Sequence, residues 1–166
     1  MILEIDGWKF DVDMAATMEY SSNEAKTHCD CAYCRNFFAV VDDIYPNLRP
    51  FLAQFGLNIE APDELMPFDA ENRMDYLGEY AVAGRILEKG LSPICVDGLS
   101  ITPKDDSNIN HSLTEPVFFL AFDWLRLPWV LVEPMNDVVS PANFPSFLKN
   151  MWNKLLGRRP KSDITS

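Results

Sequence analysis

Four side chains able to bind metal or exchange electrons, His28, Cys29, Cys31 and Cys34, fall within seven consecutive positions of the run Thr-His-Cys-Asp-Cys-Ala-Tyr-Cys-Arg-Asn at Thr27–Asn36. The chain has four cysteines and two histidines, so Cys95 and His111 alone represent these types elsewhere. Thiolate and imidazole are the ligands zinc prefers, and four of them close a tetrahedral site. Cys31-Ala-Tyr-Cys34 has the Cys-X-X-Cys form, in which two sulfurs converge on one ion and a helix can begin directly afterwards.

Cys29, Cys31 and Cys34 are therefore the candidate metal ligands, with zinc the candidate ion. One residue separates Cys29 from Cys31, and His28 adjoins Cys29, so a single ion accepts all four only with a strained backbone. The fourth ligand is then His28 itself, Cys95 or His111. Zinc ribbons supply a second paired knuckle, which this chain lacks. Iron–sulfur ligation by three cysteines would need an external fourth ligand.

The same residues support two other readings. A Cys-X-X-Cys pair at a helix N-terminus can exchange disulfides, because the helix dipole acidifies one thiol. The preceding residues, Ser21 to Asp30, are polar rather than a buried strand, which is not the setting of a thioredoxin-type active site. Alternatively, the cysteines are reduced and packed as small apolar groups at a helix start, with Tyr33 and His28 hydrogen-bonded nearby. Arg35 would favour thiolate in either chemical role, and is equally at home as a surface residue.

Elsewhere the chemistry thins out. The pairs Asp42-Asp43, Asp63-Glu64 and Asp105-Asp106 match no calcium-loop or His-Glu-X-X-His pattern and read as solvated surface. Scattered Gly84, Gly90 and Gly98 form no phosphate-cradling loop, and no Gly-X-Ser-X-Gly nucleophile elbow is present. Asp123, set in Phe118-Phe119-Leu120-Ala121-Phe122-Asp123-Trp124, must either face solvent or find a partner.

A net charge of −11 opposes nonspecific phosphate binding, so nucleic acid is not an expected partner. The same charge suits a basic protein partner, engaged by electrostatic complementarity. Together with the missing catalytic motifs, this makes a small acidic interaction module without enzymatic activity the first functional expectation. Zinc binding through the cysteine cluster and thiol–disulfide exchange through Cys31 and Cys34 are the alternatives. The N-terminus lacks the uninterrupted apolar stretch of a secretory signal, and no window approaches a membrane span, so the expected location is cytoplasmic. Thiols are kept reduced there.

The elements that must position these residues follow from periodicity. Alternation around Asp6-Gly7 predicts an N-terminal β-hairpin. Residues 15–30 are small and polar and read as a loop or frayed helix. Phe37, Phe38, Val40, Val41 and Ile44 predict a helix over 32–44 that begins at the cluster, and Leu48, Phe51, Leu52 and Phe55 a second one before Gly56. The acidic, proline-containing 58–72 reads as a surface connection. Strands are expected over 74–87 and 94–101, joined by a hairpin through 90–93, and over 116–127 as a central strand extending to 129–133 beyond Pro128. Residues 104–114 read as a polar loop.

Residues 143–157 predict an amphipathic helix with Phe144, Phe147, Leu148, Met151 and Leu155 on one face. Its basic residues leave open peripheral contact with an anionic membrane. The expected organisation is one α+β domain over 1–157, a mainly antiparallel sheet with helices packed on it, and a mobile basic tail over 158–166. With 48% hydrophobic and 12% aromatic residues, a core of that size needs no staples.

Overall fold

The computed structural model describes residues 1–22, 29–70 and 73–133. These fall in one compact unit spanning Met1–Pro134. The expected helix over 143–157, the tail and His28 lie outside the described residues. The architecture is α+β, and every strand pairing among the described residues is antiparallel.

Among the described residues, ten elements follow in chain order: β1 (Ile2–Ile5), β2 (Trp8–Val12), α1 (Met14–Ser21), α2 (Ala32–Ile44), α3 (Leu48–Ala53), β3 (Glu64–Ala70), β4 (Arg73–Glu88), β5 (Ile94–Val96), β6 (Leu99–Lys104) and β7 (Val117–Pro128). The sheet runs β1-β2-β4-β7-β6-β5, and β3 also pairs with β4. Because β4 is 16 residues long, its second half holds β2 and its first half holds β3 along the same edge.

The N-terminal hairpin forms as expected: Asp6 and Gly7 both take positive φ, at 48° and 81°, as a two-residue turn matching strand twist requires. Asp97-Gly98 repeats the device, at 51° and 82°. It therefore divides the expected strand 94–101 into β5 and β6, paired with each other. The expected hairpin through 90–93 does not form, since β4 spends its hydrogen bonds on β2, β3 and β7. β7 is central, between β4 and β6, as its apolar run requires, but it stops at Pro128 instead of continuing over 129–133.

Two segments have more structure than their composition suggested. α1 forms because Asp13 caps it, its carboxylate accepting from the Ala16 N–H at 3.0 Å. Its buried positions are Thr17 and Ser21, whose hydroxyls accept from the N–H groups of Ala83 (3.1 Å) and Asn58 (2.7 Å). No apolar stripe betrays a helix that packs through hydroxyls. β3 lies inside the expected surface connection, and tolerates Pro67 because a proline lacking an N–H fits a strand paired on one side.

The core lies where α2 and α3 cover one face of the sheet. Phe37 of α2 stacks on Phe122 and meets Tyr76 edge-on, while Phe55, beyond α3, meets Phe10 and Phe118. Tyr80 is fully buried there and donates to the Ile59 carbonyl at 2.8 Å. Phe119, alternating with Phe118, points to the other face and joins Ala81, Val117, Tyr20 and Leu113 in a smaller cluster. At a bulge opposite Phe122, a Cβ on Gly78 would sit 2.4 Å from the Phe122 ring. The close approach of that ring to the backbone requires glycine.

Candidate metal centre

Cys31 is the N-cap of α2, with extended backbone at φ −70° and ψ 156°, and its carbonyl accepts the Arg35 N–H at 3.0 Å. Cys34 follows within the first turn, so the Cys-X-X-Cys segment is bent by the helix start itself. Cys29 lies two residues before Cys31, outside any helix or strand. The metal-binding atoms of Cys29, Cys31 and Cys34 all lie within 4.8 Å of one another, close enough to share one ion. Cys29 and Cys31 are exposed and Cys34 is half-buried; all three are free thiols.

The three thiols differ in their surroundings. Burial pushes the Cys34 thiol far above its ordinary value, and hydrogen bonding and charge from Cys31 and Cys29 add to the rise. Burial acts the same way on Cys31, but hydrogen bonds from the Cys34 N–H, the Cys29 and Cys34 thiols and the Tyr33 N–H outweigh it and hold that thiol below its ordinary value. Of these two, only Cys31 is held toward the thiolate.

Asn36 ties this helix start to the sheet. It is fully buried, its Nδ2 donates to the Pro128 carbonyl at 3.0 Å, and its Oδ1 accepts from the Val130 N–H at 2.9 Å. Tyr76 of β4, also fully buried, donates to the Tyr33 carbonyl at 2.9 Å. Burial pushes its phenol far above the ordinary range and keeps it a neutral donor. Arg35 is held by the Glu133 carboxylate and by the Asp30 carbonyl at 3.2 Å, an outward ion pair rather than a cation placed on sulfur.

All three cysteines line a cavity of about 290 Å³ whose walls include Tyr33 and Phe38 of α2, Leu65 and Pro67 of β3, and Tyr76. Glu60 and Asp63 border it. The walls from β3 had no sequence signal, because that segment reads as a connection. Asn36 ends the Thr27–Asn36 run, and its burial gives it its anchoring part.

The other candidates lie elsewhere. Cys95 sits exposed on β5, at the far side of β7 and β6 from β4. His111 packs edge-on against Phe119 at 5.5 Å between centroids, with its Nδ1 buried and unpartnered among the described residues. Neither joins the converging group, which among the described residues consists of Cys29, Cys31 and Cys34.

Asp123 faces outward beside Ser100 of β6. Neighbouring side chains still desolvate its carboxyl enough to raise its pKa, with Lys104 opposing the rise and Glu79 assisting it. Asp42 is engaged by Arg49, which also reaches Glu60 at 3.2 Å. No helix among the described residues is long and apolar enough to cross a membrane.

No family model, curated protein or solved structure matches this chain.

Proposed function

We propose that the protein binds one zinc ion through the thiolates of Cys29, Cys31 and Cys34. The observation that carries this reading is the convergence of three sulfur atoms within 4.8 Å. Three thiolates form a soft donor set suited to zinc, and a helix beginning at Cys31 gives the Cys-X-X-Cys pair a defined curvature. Asn36 and Tyr76 support the ligands from behind by anchoring α2 and the Tyr33 carbonyl.

Elemental analysis of untagged protein, purified under reducing conditions without chelator, is expected to find about one zinc per chain. Less than about 0.2 per chain would be far below the occupancy of a tight site and would sink the reading. Thiol–disulfide exchange through Cys31 and Cys34 predicts the opposite result on the same sample: a metal-free chain with a reversible disulfide between these two residues.

The acidic interaction module is a separate proposal supported by the net charge of −11. It names no particular surface, whereas the zinc reading rests on atoms that the fold brings together. Pull-downs that recover only neutral or acidic proteins would remove it.

A further inference from the structure

We infer that the fourth position on this ion is open, and that it takes a small neutral aromatic nitrogen donor of the imidazole class through the cavity beside the thiols. The inference rests on the zinc reading above and names the ligand of that same site. Zinc that is held by three protein ligands keeps a position for a further donor. Here all three ligand-bearing residues line one cavity of about 290 Å³, so that position has a walled space beside it.

Charge selects the class of donor. Zinc with three thiolates carries one net negative charge, and Glu60 and Asp63 border the same cavity. Among the described residues, the nearby cations are committed: Arg35 pairs with Glu133, and Arg49 holds both Asp42 and Glu60. A carboxylate or thiolate entering here adds negative charge to a negative surrounding, whereas a neutral nitrogen adds none. Imidazole completes a Cys₃His-type donor set. Tyr33, Phe38 and Tyr76 among the cavity walls suit a flat ring.

Cobalt(II) loaded in place of zinc makes the site visible through thiolate charge-transfer and d–d bands. Titrating imidazole into the cobalt-loaded full chain is expected to shift the visible bands along a saturable isotherm of one ring per chain. Acetate at the same concentrations is expected to leave them unchanged. Leu65→Trp, which fills the cavity from β3, is expected to weaken imidazole binding at least tenfold with cobalt stoichiometry unchanged. Imidazoles of increasing bulk repeat this test on the unaltered chain, and their affinity is expected to fall as the ring outgrows the cavity.

Bands indifferent to imidazole, equally responsive to acetate, or responsive only in His28→Ala would overturn the open position while leaving the zinc reading standing. Affinity independent of bulk would do the same. Absence of thiolate-to-cobalt charge transfer would instead overturn the zinc reading and this inference with it.

Discussion

Replacing Cys34 with serine is expected to lower zinc content from about one per chain to below about 0.2 after dialysis, while Cys95→Ser leaves it unchanged. Structural zinc sites with four ligands bind with roughly 10–16 kcal/mol, so one thiolate carries roughly 3 kcal/mol, about a hundredfold in affinity. Serine keeps the size of the side chain and supplies a hydroxyl that zinc binds poorly. Cys34 is half-buried at the start of α2, whereas Cys95 is exposed on β5 and outside the converging group. Parallel elemental analysis of the two variants is the check. An equal loss in both would mean that zinc is not held by the triad.

The second large effect is on stability. Phe37→Ala is expected to cost about 3–5 kcal/mol, the range for emptying a fully buried aromatic site. Phe37 has 0% exposure, and its ring lies 5.4 Å from Tyr76 and 6.4 Å from Phe122 between centroids. With Val40 and Val41, it links the helix bearing Cys34 to the centre of the sheet. Asn36→Ala should cost less, roughly 2–4 kcal/mol, by leaving the Val130 N–H and the Pro128 carbonyl without their partner. Urea unfolding of both variants, at matched zinc content, measures this. A cost below about 1 kcal/mol for Phe37→Ala would mean that α2 is not anchored through this ring.

How far the site was legible from sequence depends on the range of the interactions that build it. The Cys-X-Cys-X-X-Cys spacing and the apolar stripe Phe37, Val40, Val41 are local, and a helix starting at Cys31 follows from them directly. What the thiols face is not local. The cavity wall of Leu65 and Pro67 comes from an acidic, proline-containing segment whose strand character arises only by pairing along β4. In sequence, Asn36 is simply the polar residue that ends the cysteine run. Its burial becomes possible because the chain beyond Pro128 presents a carbonyl and an N–H to its amide.

The same division runs through the fold. By itself, the sequence determined the α+β class, the N-terminal hairpin at Asp6-Gly7, the helices α2 and α3, and the central place of the apolar strand β7. Each depends on backbone propensity or on periodicity within one segment. Tertiary structure alone decided which strands pair. A hairpin joining β4 to the next strand was expected, yet β4 chose β7, because the longest strand buries most surface against the most apolar one. It also decided that α1, in a segment read as a polar loop or frayed helix, would pack through hydroxyls, since Ala83 and Asn58 offer N–H donors to Thr17 and Ser21. For the cysteine cluster, the sequence determined that three thiols lie close along the chain, which the curvature of one helix start can gather. Only the tertiary structure placed a walled cavity beside them, because its far side comes from strands 30 and more residues away.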